Sequence, residues 1–268
     1  MGGALVLAAT AGYWTATGGI DDSRSQPSWL TIPPIAHRGL HSGDSQVPEN
    51  SLAAFQAAAD AGYAIELDVQ ITSDGELVVL HDENLARMTG VEGLVSEKFA
   101  AEVTKLRLLD STETVPALAD VLSAVNGRVP VYVEVKNAGA VGALEDAVAR
   151  ELAVAKAPIA VMSFNPLSLA RIAERAPSVP RGQLAGPFKG ESLAWWKKLL
   201  LGNLLLNWRS KPDFIAYQLE GLPSAGVSLQ KRRGRPLVVW TADTREEFDR
   251  AKALGGNVIF ELAARPNQ

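Results

Sequence analysis

The three histidines of this 268-residue chain, His37, His41 and His81, all lie in one stretch, residues 35–82. Glu66 and Asp68 stand between the second and third, and Arg38 directly follows the first. Histidine is the side chain whose ordinary pKa suits proton transfer near neutral pH. Placing every histidine among carboxylates therefore points to acid–base chemistry in this stretch. AIELDVQ, residues 64–70, reads as a strand, so Glu66 and Asp68 share one face and Leu67 and Val69 the other. Two carboxylates held side by side repel unless a proton or a cation lies between them. Oxygen donors alone suit Mg²⁺ or Ca²⁺ rather than zinc. The plainer alternative is a pair of solvated acids on an edge strand.

The elements around these residues must bring them together. Ser73-Asp74-Gly75-Glu76 is a turn signal between two runs of strand character. A link this short joins antiparallel strands only. With the turn centred between Ser73 and Asp74, residue 66 falls opposite residue 81, which predicts His81 beside Glu66.

The stretch resembles the glycerophosphodiester phosphodiesterases. The matching residues are His37-Arg38-Gly39, Pro48-Glu49-Asn50-Ser51, Glu66-Leu67-Asp68-Val69, Thr72-Ser73-Asp74-Gly75 and His81-Asp82. Each motif alone is weak, but five in this order and spacing are specific. Ser51 stands where the family usually has Thr, which keeps the hydroxyl. Further on, Glu134 and Lys136 close the run VPVYVEVK, two apart and on one face. Met162-Ser163-Phe164-Asn165 is similar to the family's SF motif, and Trp240-Thr241 to its WT pair. Two residues beyond that pair the family commonly has Asn, where this chain has Asp243.

The resemblance implies a (β/α)₈ barrel and a hydrolase that converts glycerophosphodiesters to glycerol 3-phosphate and an alcohol through a cyclic phosphate. It implies a divalent cation, Mg²⁺ or Ca²⁺, on Glu66, Asp68 and Glu134, with Arg38 and Lys136 on the phosphate oxygens. His37 and His81 are implied as the general acid and base. Glu49 and Asn50 fit a supporting role, orienting a histidine or holding the loop, and Glu49 is within conceivable reach of the metal. Phe164 and Trp240 either line the groove around the alcohol or pack in the core. His41 is a loop residue or a substrate contact. A runner-up keeps the site and changes the substrate, as in phospholipase D-like enzymes acting on lysophospholipids or sphingolipids. A non-catalytic phosphodiester-binding protein would not need both histidines.

Taken whole, the chain suits one large domain. Nearly half its residues are hydrophobic, the formal charge is −4, and the basic residues are dispersed. That pattern lacks a nucleic-acid footprint, and the resemblance implies a small-molecule glycerophosphodiester as the partner. With no cysteine there is no disulfide and no thiolate metal site. Residues 1–20 carry no charge. They suit an anchor or an export signal, although no Lys or Arg precedes the apolar run and Gly and Thr interrupt it. Residues 21–31 look like a polar linker, so residues 1–31 are set apart from a barrel domain at 32–268. The expected location is cytoplasmic or membrane-associated, or exported if residues 1–20 act as a signal.

From residue 35 onward, short apolar runs alternate with helical patterns. Strands are expected at 35–37, 64–68, 131–135, 159–163, 183–185, 214–217, 237–241 and 258–260. Helices are expected at 51–62, 117–126, 140–154, 166–176 and 245–255. Leaving out the hairpin arm at 77–81, the strands number eight, as a closed α/β barrel requires. One stretch departs from that plan. WWKKLLLGNLLLNWR, residues 195–209, reads as a single helix, apolar nearly all round, with a Lys pair and flanking tryptophans. It packs on the barrel, or serves as a lid or a membrane-surface contact through 195–208.

Overall fold

Apolar runs too short for helices pair here into a barrel. The computed structural model describes residues 26–137, 139–155 and 157–261, together with residue 12 and residues 15–17. Nine strands form one sheet: β1 (Ile35–Ala36), β2 (Ala64–Ile71), β3 (Leu77–Val79), β4 (Val131–Val135), β5 (Ile159–Ser163), β6 (Arg181–Ala185), β7 (Phe214–Gln218), β8 (Leu237–Ala242) and β9 (Asn257–Phe260). The order is β1-β9-β8-β7-β6-β5-β4-β2-β3, and β1 also pairs with β2. That last pairing closes eight parallel strands into a ring and leaves β3 outside as an antiparallel arm on β2. The expected (β/α)₈ barrel is the observed fold.

Helices α1 (Leu52–Asp60), α2 (Leu118–Val125), α3 (Ala143–Val154), α4 (Pro166–Arg175), α5 (Trp195–Gly202), α6 (Ala225–Arg232) and α7 (Arg245–Ala253) connect the strands. Their starts are written in the sequence. Ser51 caps α1 by accepting from the Ala54 N–H at 3.1 Å, and Asn165 caps α4 ahead of Pro166. Thr244 and Glu247 form a capping box on α7. Each such cap satisfies a backbone donor that the first helical turn leaves unpaired.

The barrel's interior is filled by alternate strand residues, among them Ile35, Ala64, Tyr132, Phe214 and Ile259. Full burial of a side chain such as Phe214 contributes roughly 1.5–3 kcal/mol. Gly182 on β6 makes room for it, since a Cβ there would lie 2.3 Å from the Phe214 ring. Leu30, in the 3₁₀ turn Ser28–Thr31, joins the same cluster and is fully buried. The Tyr132 hydroxyl donates to its carbonyl at 3.0 Å. Residues 28–31, at the end of the expected linker, thus belong to the barrel's packing. The region 1–20 lies almost wholly outside the described residues. Among the described residues no helix is long and apolar enough to cross a membrane.

Two expectations about local structure are corrected. In the hairpin, Val69 pairs with Val79, Gln70 with Val78 and Ile71 with Leu77. This register differs by one residue from the one expected, so its continuation sets residue 81 opposite residue 67, not 66. The cause is the loop. The Thr72 N–H donates to the Glu76 carbonyl at 3.0 Å, leaving Ser73, Asp74 and Gly75 between them. Gly75 takes a φ of +85°, which is the three-residue hairpin form with glycine in the left-handed position. The second correction concerns residues 195–209, which do not form one helix. Helix α5 ends at Gly202, Leu204 adopts a φ of +60°, and only a single turn, Asn207–Ser210, follows.

Candidate active site

In a closed α/β barrel the side chains that do chemistry gather where the strands end. His37 follows β1 directly, and the next two residues turn the chain sharply, Arg38 at φ +51° and Gly39 at φ +81°. A Cβ on Gly39 would lie 2.8 Å from the Ala54 Cβ, so helix α1 packs against the HRG turn only because residue 39 is glycine. The turn aims the Arg38 N–H at Glu66 Oε2, 3.0 Å away.

Glu66 and Asp68 project from β2 on one face, as their spacing predicts, and are almost fully buried. Glu134 on β4 lies in register with Asp68. One oxygen from each of these three carboxylates can be chosen so that all lie within 4.8 Å of one another. Lys136 Nζ sits 3.2 Å from Asp68 and 2.7 Å from Glu134. Arg38 Nε lies 3.4 Å from Asp68. Asn50, in the left-handed conformation that asparagine tolerates, donates its amide to Asp68 at 2.9 Å.

Three carboxylates therefore face two cations. Burial, reinforced by the Asp68 charge, pushes the Glu66 carboxyl up to about 8. Burial also raises Glu134, against the pull of Lys136. For Asp68 burial is outweighed by Lys136 and Arg38, and its carboxyl is held far below the usual range. Glu66 Oε1 is buried with no hydrogen-bond partner among the described residues. An all-oxygen donor set with an unpartnered buried carboxylate oxygen and one positive charge too few fits a hard divalent cation.

Two histidines flank the carboxylates, each held in the same manner. His37 Nδ1 lies 2.5 Å from Glu261 Oε1, and its Nε2 lies 4.0 Å from Glu66. Burial opposes the imidazolium, but Glu261 and Glu66 outweigh it and the His37 pKa is raised. His81 Nδ1 lies 2.6 Å from Asp82. Burial lowers the His81 pKa, with Lys136 and Arg38 adding to the effect and Asp68 opposing it. Engaging Nδ1 with a carboxylate fixes the ring and leaves Nε2 for chemistry.

The expected residues come together with one change of partner. Glu49 does not join the carboxylate cluster. Its oxygens accept from Arg38 Nη1 at 2.9 Å and from Arg87 at 2.7 and 3.2 Å. Arg87 also holds Asp82, the partner of His81. Phe164 and Trp240 meet edge to face at 5.5 Å and line a cavity of about 510 Å³ together with both histidines, Glu66 and Lys136. His41 is buried off the cavity. Its Nδ1 accepts from the Gly43 N–H and its Nε2 lies 3.0 Å from Glu261.

Two residues of the site escaped the sequence reading. Arg87 lies in an excursion between β3 and β4, five residues beyond the His81-Asp82 motif but part of no motif itself. Glu261 follows the last strand, in a run expected only to close the barrel; its position at a strand end was the available signal.

The family model for the glycerophosphoryl diester phosphodiesterase family matches residues 37–260. The chain belongs to that family. A glycerophosphodiester phosphodiesterase of Caldanaerobacter subterraneus is 31% identical over 245 residues, covering 84% of this chain and 92% of the relative. The probable glycerophosphodiester phosphodiesterase 2 of Mycobacterium tuberculosis is 33% identical over 217 residues, 78% of this chain and 79% of that one. In shape, the chain is similar to an Oleispira antarctica phosphodiesterase solved with its product sn-glycerol 3-phosphate. That likeness has a TM-score of 0.71 and 24% identity, covering 87% of this chain and 94% of the other. Membership in the family makes the chain a phosphoric diester hydrolase.

Proposed function

We propose that this phosphoric diester hydrolase cleaves glycerophosphodiesters to glycerol 3-phosphate and an alcohol. The observation that carries the reading is the buried cluster of Glu66, Asp68 and Glu134 set between two carboxylate-held histidines in one cavity. The likeness to the Oleispira phosphodiesterase, which holds sn-glycerol 3-phosphate, supports the choice of substrate.

In this reading Glu66, Asp68 and Glu134 hold the divalent cation, Mg²⁺ or Ca²⁺. When bound, it polarises phosphate oxygens and offsets charge that builds during the reaction. Arg38 and Lys136 take the remaining phosphate oxygens, Arg38 as a planar fork and Lys136 as a point charge. The charge arithmetic is favourable: with all three carboxylates ionised, Arg38, Lys136 and a divalent ion would leave one positive charge in surplus, which a phosphodiester monoanion balances. His37 and His81 work as a pair through Nε2. One removes the proton of the glycerol 2-hydroxyl, which attacks phosphorus and expels the alcohol as the other supplies its proton. The resulting cyclic phosphate is opened by water with the proton roles reversed. Asn50 fixes Asp68, Glu49 fixes Arg38, and Phe164 and Trp240 wall the space around the alcohol.

We take the catalytic domain to begin with the turn at residues 28–31, which packs into the barrel, and not at residue 32, with the residues before it as a leading segment. The protein would work in the cytoplasm or at a membrane surface, with export depending on residues 1–20. The test is release of glycerol 3-phosphate from glycerophosphocholine, glycerophosphoethanolamine and a lysophospholipid, each with and without a chelator. Chelator-sensitive release that falls by about 10²–10⁴-fold in His81→Ala is expected. Absence of turnover with either Mg²⁺ or Ca²⁺ would overturn the reading. A lysophospholipid cleaved in preference to the soluble diesters would favour the lipid alternative, for which exposed tryptophans beside the cavity speak.

A further inference from the structure

Half of the chain's six tryptophans lie in residues 195–208, and all three are exposed, Trp195 at 77%, Trp196 at 48% and Trp208 at 47%. Leu199 is 52% exposed. At about 100° per residue, Trp195, Trp196 and Leu199 fall within one side of α5. Large apolar side chains grouped in this way on a surface mark a place where something docks.

The back of the helix shows where that surface sits. The Tyr217 hydroxyl donates to the Gly202 carbonyl at 2.9 Å. A Cβ on Gly202 would lie 3.0 Å from the carbonyl oxygen of Gly186, a residue that lines the catalytic cavity. Phe188 and Leu193, in the loop that leads into α5, line the same cavity. Leu204 is buried and ties the end of the segment to the barrel. The exposed apolar side is thus carried on the wall of the cavity mouth.

Charge selects the occupant. Between Glu191 and Asp213 the chain has no acidic residue, whereas Lys197, Lys198, Arg209 and Lys211 are cationic in a protein of net charge −4. Lys197 stacks over Trp196 and Arg209 over Trp208, at 5.5 and 5.1 Å from the ring centroids. Tryptophan favours the bilayer interface, and lysine and arginine beside it are drawn to anionic headgroups.

We propose that α5 and the turn after it dock the mouth of the catalytic cavity onto an anionic lipid bilayer. The docking rests on the proposed function only for its consequence, which is that a monoacyl glycerophosphodiester carried by the membrane meets the cavity at the surface where it resides.

The test uses the full chain, vesicles of phosphatidylglycerol with phosphatidylcholine, and vesicles of phosphatidylcholine alone. Sedimentation should show binding to the anionic vesicles that weakens as salt is raised. Trp195→Ala, Trp196→Ala and Leu199→Ala combined should weaken it by at least about tenfold, and so should Lys197→Glu with Lys198→Glu. Release of glycerol 3-phosphate from soluble glycerophosphocholine should stay unchanged in both variants, which also shows that they fold. Equal binding by the variants would mean that another part of the chain, residues 1–20 included, holds the membrane, and would overturn the proposal. Binding to neither vesicle would overturn it as well, as would concentration-dependent dimerisation that the apolar variant abolishes. Docking that persists in a protein without turnover would defeat the proposed function alone.

Discussion

Glu261 bonds the His37 ring and with the same carboxylate lies 3.0 Å from the ring of His41, so its effect on His37 is both positional and electrostatic. Glu261→Gln keeps the shape and one acceptor but loses the charge that helps raise His37. Removing a group that raises a pKa shifts the corresponding limb of the pH–rate profile to lower pH. We expect that shift, with kcat down by about tenfold to a hundredfold. An unchanged profile would show that Glu261 serves structure only. Arg87 plays the matching part on the other side, because it orients Asp82 and Glu49 together. Arg87→Ala should lower kcat by about tenfold while KM stays within about twofold, since the guanidinium positions other groups and does not line the cavity. Steady-state kinetics on a soluble glycerophosphodiester decides it.

At the scale of elements, the site depends on strands meeting in one register. Asp68 and Glu134 converge because β2 and β4 are parallel neighbours and those residues are paired across them. β6 and β7 show what that alignment demands of packing, since Gly182 is paired with Phe214, whose ring fills the space a Cβ would need. Gly182→Ala should therefore destabilise the fold by roughly 1–3 kcal/mol, as overpacking in cores does. Urea denaturation measures it. The loss should be smaller in a Phe214→Leu background, and an additive double-mutant cycle would refute a direct clash. The same scale explains the break in residues 195–209. Leu204 in the left-handed conformation turns the chain so that it buries its own side chain while the tryptophans stay outside.

For the whole molecule, the carboxylate cluster links metal, pH and stability. Glu66 is raised from an ordinary 4.5 to about 8 by burial and by Asp68. Between those values the folded metal-free protein holds a proton that the unfolded chain has released. Its stability should therefore fall as pH rises from about 4.5 to about 8 and level off beyond. A divalent ion replaces that proton, so its affinity rises with pH through the same window. Added Mg²⁺ or Ca²⁺ should raise Tm more at pH 8 than at pH 6. Thermal melts with and without chelator check both statements, and a metal effect independent of pH would show that Glu66 is already ionised in the metal-free protein.

The sequence alone determined the barrel, because strand and helix periodicities are local and eight apolar runs separated by helical stretches admit few arrangements. It also determined the site's chemical make-up. Glu66 with Asp68, and Glu134 with Lys136, sit two apart on strands, and that spacing fixes a shared face without any knowledge of the neighbours. Only the tertiary structure decided the partners. The hairpin register turned on the conformation of Gly75, a choice of loop that composition leaves open, and it moved His81 by one position. The link between His37 and Glu261, 224 residues apart, exists because β1 and β9 close the ring. Arg87 reaches Asp82 and Glu49 through an excursion that has no periodic signal, and α5 shows its tryptophans to solvent because Leu204 is the residue that turns inward. Spacing along a chain records which side chains point the same way, whereas which of them meet across the barrel is set by closure and packing between segments distant in sequence.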